Sequence, residues 1–315
     1  MNSINELIVV AGPTASGKTS YAINLAKEID AVLINADSMQ VYKGMNIGTN
    51  KGTIEIQGMK FSIPYIGEDQ IVKSEYLISA YELEKSGITG YMFDVVNPNE
   101  EFTVAHYQFL VKKLLNEFDR IGQKAILVGG TGLYIDSIIH NYHLDEVEID
   151  KSLREKLNNM SDEQLFDELY KVDSVTALAL NESDKENPRR LIRRIELAQS
   201  EVKQRRSKNV LKHKIYYPIY DRNILYERIN KRVEEMFVEG LVQEVEGLVK
   251  LGYKNCNSMQ GMGYKEVVEY LESKSTIEEA KARIKQAHRN YASRQITWFE
   301  NEKRGYNLLK VCFEG

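Results

Sequence analysis

Cysteine is scarce in this chain, which has 315 residues and only two cysteines, Cys256 and Cys312. Because the two stand far apart in sequence, they do not form the closely spaced pattern of a disulfide framework or a zinc knuckle. The five histidines include one closely spaced pair, His140 and His143, and a metal site needs more ligands than this segment offers. We therefore expect a protein of the reducing cytosol, without disulfide bridges or a histidine metal centre.

Long apolar runs are also missing. The longest, at residues 7–11 and 125–128, are far shorter than the roughly 20 residues that a membrane-spanning helix needs. The first residues carry neither the basic region nor the apolar stretch that marks a secretory signal. With 43% hydrophobic and 28% charged residues, the composition is that of an ordinary globular protein. We expect a cytoplasmic protein that does not enter a membrane.

No excess of positive charge marks the chain as a whole, since its formal net charge is −4. The distribution is nevertheless uneven, with ten basic and two acidic residues in 189–214, and seven basic and two acidic residues in 281–304. Residues 145–186 hold thirteen acidic and five basic residues. Basic stripes on an acidic body are typical of a site-selective polyanion binder, whereas a single stripe alone is more often a solvated helix face.

Strands and helices alternate in the first part of the chain. Apolar runs at 6–12 and 31–36 predict buried strands, and periodic segments at 19–29 and 102–122 predict helices. Residues 124–140 indicate a strand, a glycine turn and a helix. This alternation indicates an α/β fold with a P-loop NTPase-like parallel sheet and flanking helices. Residues 52–90 are irregular, with one helix expected near Ser74–Leu83.

The second part of the chain is predominantly helical. Three or four helical segments are predicted at 151–160, 162–170, 174–180 and 188–199. One strand follows at 214–220, and three further helices at 222–251, 264–271 and 277–299. We expect a catalytic core formed by residues 1–141 and 211–315, interrupted by a helical insertion domain at 142–210.

A phosphate-binding loop is the most specific motif. It fits G-x-x-x-x-G-K-[ST] between a predicted strand and a predicted helix, and comprises Gly12, Pro13, Thr14, Ala15, Ser16, Gly17, Lys18 and Thr19. Its glycines let backbone N–H groups surround phosphate oxygens, and the helix N-terminus adds partial positive charge. Lys18 is expected to contact the terminal phosphates, and the Thr19 hydroxyl to bind Mg²⁺.

A P-loop alone does not define the reaction. Kinases and NTPases usually carry an acidic residue at the end of a neighbouring strand, but the later strand AILVGGTG (125–132) ends in glycines. Asp94 is the nearest alternative to such a residue. Asp37 follows the second strand at the edge where α/β sheets bind ligands. By position alone, Asp37 is equally suited to be a Mg²⁺ ligand, a catalytic base or a helix N-cap.

Seven segments in this order closely resemble the tRNA dimethylallyltransferases, also called tRNA isopentenyltransferases. They are GPTASGKT (12–19), NADSMQVYKGMNIGTNK (35–51), LVGGTGLYI (127–135), NPRRLIRRIE (187–196), RINKRVEEMFVEGLVQEV (228–245), SMQGMGYKE (258–266) and ASRQITWF (292–299). The resemblance covers nearly the whole chain. It implies Mg²⁺-assisted transfer of a dimethylallyl group from dimethylallyl diphosphate to N6 of the adenine just 3′ of the tRNA anticodon. We expect the enzyme to be a monomer.

The resemblance also implies roles for individual residues. Asp37 would be the catalytic base, and Arg232 would grip the diphosphate together with the P-loop. Arg228 and Arg232, four residues apart on one helix face, are alternatively the basic side of an amphipathic helix. Contacts with the anticodon stem-loop would come from Asp37, Ser38, Met39, Gln40, Thr131, Arg154, Arg189, Arg190, Leu191, Ile192 and Arg193.

Three rival functions share some of these features. A small-molecule or nucleotide kinase would use the P-loop and the sheet, but would not explain residues 37–44 or the arginine helix. A transferase that prenylates free adenine nucleotides would share the chemistry without needing the basic stripes. A non-catalytic RNA-binding module would leave the P-loop without a use.

Overall fold

A single mixed sheet organises the larger part of the chain. In the computed structural model, residues 6–66, 72–142, 144, 150–199 and 210–313 are described, and they contain eight strands. These are β1 (Leu7–Ala11), β2 (Ala31–Asn35), β3 (Thr53–Ile66), β4 (Val72–Leu83), β5 (Thr89–Tyr91), β6 (Lys124–Gly129), β7 (His213–Pro218) and β8 (Leu308–Val311). Their order across the sheet is β3-β4-β5-β2-β6-β1-β7-β8.

Six strands that are neighbours in the sheet run parallel, which confirms the predicted α/β fold; in sheet order they are β5, β2, β6, β1, β7 and β8. Their apolar side chains alternate between two cores. In β1, Val9 packs into the core on one face with Leu110 and Ile135, and Val10 packs into the other with Ala22 and Ile126. Burial on both faces explains why these strands have continuous apolar sequences.

Twelve α-helices accompany the strands in the described residues. They are α1 (Lys18–Ile29), α2 (Val104–Arg120), α3 (Gly132–Ile139), α4 (Lys151–Asn158), α5 (Asp162–Val172), α6 (Ser174–Leu178), α7 (Glu182–Lys185), α8 (Pro188–Gln199), α9 (Arg222–Glu239), α10 (Leu241–Lys250), α11 (Tyr264–Leu271) and α12 (Ile277–Phe299). Short 3-10 helices lie at Asn257–Gln260 and Glu302–Arg304. None of the described helices is long and apolar enough to cross a membrane.

Two compact units divide these elements. One comprises Met1–His140 and Val210–Gly315 and contains the sheet, whereas the other comprises Asn141–Asn209 and contains α4 to α8. The helices of the second unit enclose a core of their own, which includes Leu165, Leu169 and Leu191. The insertion predicted at 142–210 differs by one residue at each end from the second unit, Asn141–Asn209.

The helix expected near Ser74–Leu83 is wrong, because this segment is the strand β4 and pairs antiparallel with β3. Tyr76, Ile78 and Ala80 face the core, so the segment has the two-residue period of a strand. The single helix expected at 222–251 is also wrong. It divides into α9 and α10 at Gly240, whose φ of 104° is incompatible with a continuous helix.

Candidate active site

The P-loop connects β1 to α1 with a backbone that requires glycine. Gly17 has a φ of 82° and lies immediately before the first residue of α1. A side chain on Gly12 would place its Cβ only 2.9 Å from Pro218 on the neighbouring strand β7. The two glycines therefore permit the left-handed turn and the close approach of strand and loop that form the phosphate cradle.

One pocket opens at this loop. Its lining includes the whole run from Thr14 to Ser20, together with Asp37, Gln40 and Lys51. Lys18 Nζ donates a hydrogen bond to the Pro13 carbonyl at 3.3 Å. Desolvation lowers the pKa of Lys18, and the negative charge of Asp37 opposes this shift. The predicted phosphate site and the predicted carboxylate therefore share one cavity.

Asp37 is held by its own loop beyond β2. Its N–H donates to Asn35 Oδ1 at 3.0 Å, and its Oδ1 accepts a hydrogen bond from the Met39 N–H at 2.9 Å. Asp37 Oδ2 has no hydrogen-bond partner among the described residues. The carboxylate thus orders the following turn with one oxygen, and the other is available to the pocket.

The residues after Asp37 contact three different segments of the chain. The Ser38 N–H donates to Thr131 Oγ1 at 3.0 Å, and the Gln40 side chain donates to the Thr49 carbonyl at 3.0 Å. Met39 lies against Gly261, where an added Cβ would be 2.4 Å from the Met39 methyl carbon. Of the residues predicted at 37–40, Ser38 therefore contacts Thr131, whereas Met39 and Gln40 contact other segments.

Gln295 supports the site and was not singled out from the sequence. It is buried on α12, where its Oε1 accepts from the Thr14 N–H at 2.8 Å and its Nε2 donates to the Gly130 carbonyl at 3.0 Å. One amide therefore joins the P-loop to the glycine-rich loop. The only signal for it was its place in the segment 292–299.

Arg232 lies in an adjoining pocket and not among the residues that line the P-loop pocket. Its Nη1 is 3.2 Å from Glu239 Oε1 and 3.9 Å from Glu235 Oε2, and its Nε is buried with no hydrogen-bond partner among the described residues. The two pockets share Lys51 and Glu84 as lining residues. Arg232 is therefore a neighbour of the phosphate site, held by carboxylates of its own helix.

The arginines of the second unit differ in their availability. Arg154 binds the buried Glu196 through two hydrogen bonds of 2.7 and 2.9 Å, and Arg193 approaches the same carboxylate at 3.3 Å. Arg190 pairs with Asp184. Arg189 is exposed.

Two neighbouring residues of α8 with a predicted RNA contact have side chains inside the protein. Leu191 and Ile192 are buried in the core of the second unit. The part of the first basic stripe at 200–209 lies outside the described residues, as does His143.

The second basic stripe is largely neutralised within the chain. Lys281 and Lys285 both pair with Glu234, at 3.1 and 2.5 Å. Arg304 binds the buried Asp136 at 2.7 Å. Each of these three basic side chains therefore has an acidic partner that is distant in sequence.

Comparisons with known proteins agree on one family. The family model described as IPP transferase matches residues 79–302, and that of isopentenyl transferase matches residues 5–74. The chain is 38% identical to the tRNA dimethylallyltransferase of Thermoanaerobacter sp. (strain X514), over 98% of this chain and 91% of that protein.

Solved structures give the same answer. The tRNA isopentenylpyrophosphate transferase of Bacillus halodurans is 33% identical with a TM-score of 0.65, over 98% of this chain and 90% of that one. The corresponding enzyme of Staphylococcus epidermidis is 32% identical with a TM-score of 0.63, over 98% and 93% of the two chains. This chain therefore belongs to the family of tRNA dimethylallyltransferases.

Proposed function

We propose that this protein transfers a dimethylallyl group from dimethylallyl diphosphate to N6 of the adenine just 3′ of the anticodon of a tRNA. The observation that carries the proposal is the position of Asp37 in the same pocket as Lys18 and the P-loop. A prenyl transfer to an amine needs a diphosphate site and a proton acceptor side by side. The pocket supplies both.

The reaction forms a bond between adenine N6 and C1 of the dimethylallyl group while the bond from C1 to the diphosphate oxygen breaks. The exocyclic amine is a poor nucleophile until it can release a proton, so it needs a base within hydrogen-bond reach. Asp37 Oδ2, which is unpaired among the described residues, would accept that proton. Its other oxygen remains on the Met39 N–H and keeps the carboxylate oriented.

The electron pair of the broken bond goes to the diphosphate, whose growing charge needs preorganised positive groups. Lys18 and the N–H groups of residues 15 and 17–19 would stabilise this charge, since the N–H groups of Thr14 and Ser16 donate to Gln295 and Pro13. The lowered pKa of Lys18 reflects a desolvated ammonium, which interacts more strongly with a bound phosphate than a hydrated one would.

The residues of this pocket suit a magnesium ion that binds together with the phosphates of the substrate. The described residues contain no group of three His, Cys, Asp or Glu side chains around one point. Mg²⁺ does not require one, because it commonly keeps water and binds substrate phosphates with one or two protein oxygens. Thr19 would hold it, and the ion would neutralise charge on the leaving diphosphate.

Arg232 would reach the diphosphate from the adjoining pocket, and its contact with Glu239 would be exchanged for a phosphate oxygen. An arginine fork suits this role because it binds phosphate through two parallel N–H bonds. The exposed ends of Arg189 and Arg190 would contact phosphates of the anticodon stem, with Arg193. Arg154 would act indirectly, since its fork is occupied by Glu196.

The target base must leave its stack to reach Asp37, as in other enzymes that modify a base. Ser38, Met39 and Gln40 follow Asp37 in the chain, and Ser38 donates to Thr131. These four residues would receive the anticodon loop. RNA-binding proteins commonly recognise single-stranded loops in this way.

One incubation tests the function. Labelled dimethylallyl diphosphate is mixed with the protein and Mg²⁺, and with unmodified tRNA, AMP, or ATP plus candidate small-molecule acceptors. We expect the label in tRNA alone. Label in AMP would identify a transferase for free nucleotides, and phosphoryl transfer from ATP without any prenylation would identify a kinase.

A further inference from the structure

Lys51 is a buried charge that the proposed mechanism does not use. Its exposed fraction is 4%, and its Nζ donates to Asp94 Oδ1 at 2.5 Å and to the Tyr42 carbonyl at 2.7 Å. Burial lowers the pKa of Lys51, and the charge of Asp94 opposes that shift. Replacing a buried ion pair with apolar side chains is often neutral or stabilising, so stability alone does not explain the pair.

The position of Lys51 suggests its use. It lines the P-loop pocket with Lys18, and it also lines the adjoining pocket that contains Arg232. Apart from Lys18, it is the only basic residue among those lining the P-loop pocket in the described part of the chain. Asp37 and Glu84 contribute negative charge to the same lining. A bound diphosphate therefore needs more positive charge than Lys18 alone supplies.

The ammonium also has an unused donor. A lysine carries three N–H bonds, and Asp94 and the Tyr42 carbonyl account for two of them within the described residues. Asp94 is itself held in a left-handed backbone conformation with a φ of 48°. That conformation costs energy for a residue other than glycine, and it persists where the surrounding structure requires it.

We propose that Lys51 donates its third N–H to the diphosphate of the prenyl donor, and that Asp94 positions the ammonium for this contact. The inference rests on the proposed function. It assigns a second lysine to the diphosphate site, between the P-loop and Arg232. In this arrangement Lys51 is a binding residue and Asp94 is a positioning residue.

The test measures binding of inorganic pyrophosphate, with Mg²⁺, to the full chain by isothermal titration calorimetry. Lys51→Met should weaken binding about tenfold or more, because it removes a charged hydrogen bond. Affinity for unmodified tRNA should stay within about twofold. Lys43→Met is the matched control, since Lys43 is exposed on the same loop, lines neither pocket, and should bind pyrophosphate as the wild type does.

A second variant covers the case in which Lys51→Met does not fold. Lys51→Met with Asp94→Asn removes both charges together, and asparagine tolerates the left-handed backbone. This double variant should fold and still bind pyrophosphate about tenfold more weakly. The inference is overturned if the variants bind pyrophosphate within twofold of the wild type, or if tRNA affinity falls by the same factor, which would mean that the pair only shapes the loop.

Lys18→Ala separates this inference from the proposed function. If Lys18→Ala loses pyrophosphate affinity while the Lys51 variants keep it, only the role of Lys51 fails. If Lys18→Ala also binds normally, the diphosphate site itself is wrong, and the proposed function fails with it.

Discussion

Gln295 offers a direct test of how the pocket is assembled, because its amide joins the P-loop to the glycine-rich loop. The change is Gln295→Met, which keeps the length of the side chain and removes both hydrogen bonds, to Thr14 and Gly130. An unsatisfied buried polar group costs roughly 1–3 kcal/mol. The Gly130 carbonyl is buried, so its loss of a partner carries the whole of this cost. Thr14 is partly exposed, so water can replace the hydrogen bond of its N–H. We expect the free energy of unfolding to fall by about 2 kcal/mol.

The same substitution should affect the diphosphate site. Thr14 lines the pocket, and its N–H donates to Gln295 Oε1, which holds the start of the P-loop in place. Loss of this support should weaken pyrophosphate binding by about tenfold, because small displacements of preorganised donors are costly. Urea unfolding measures the stability, and calorimetry with pyrophosphate and Mg²⁺ measures the affinity.

Gln286→Met is the control on the same helix, since the hydrogen bond of Gln286 to Asn290 is exposed. It should change neither quantity appreciably. The reasoning is refuted if Gln295→Met unfolds at the same urea concentration as the wild type and binds pyrophosphate equally well.

Three further predictions concern the proposed catalytic base Asp37, the arginines of α8, and the buried His288. Asp37→Asn should lower the single-turnover rate of transfer to tRNA by about 10²–10⁴-fold, because asparagine cannot accept the N6 proton, while donor affinity stays nearly unchanged. Replacing Arg189, Arg190 and Arg193 together with alanine should reduce the salt dependence of tRNA binding, by roughly 0.7–0.9 in slope for each lost phosphate contact. Burial lowers the pKa of His288 to about 4, so the stability it contributes is complete above its unfolded pKa and is lost as the pH falls towards 4. Between pH 7 and pH 5 the wild type should lose about 2 kcal/mol more than His288→Gln in urea unfolding.

Each of these has an outcome that contradicts it. Recovery of the Asp37→Asn rate at high Mg²⁺ would make Asp37 a metal ligand and not the base. If the salt dependence of tRNA binding does not change, the three arginines form a solvated helix face and do not contact RNA phosphates. An equal loss of stability in His288→Gln and the wild type would show that His288 is not buried in its neutral form.

The sequence by itself determined the elements whose signals are local. The P-loop needs glycines at two fixed positions, which are Gly12 and Gly17, and a helix directly after them. This helix, α1, begins at Lys18, where the motif predicts it. The strands β1 and β6 were predictable because both faces are buried and their apolar runs are continuous. The placement of Asp37 at the edge of the sheet follows from the end of β2, since the carboxyl ends of parallel strands meet at one edge.

Only the tertiary structure decided which side chains are available. The sequence does not distinguish a paired arginine from an unpaired one at position 232, but in the structure Glu239 holds Arg232 in the adjoining pocket. The hairpin of β3 and β4 was missed because its short apolar alternation is interrupted by polar residues, and pairing between the two strands stabilises it. Glu234 neutralises Lys285 from 51 residues away, and Gln295 joins two loops that lie 281 and 165 residues away from it. Such contacts depend on which elements pack together, and residue types along one chain do not carry that information.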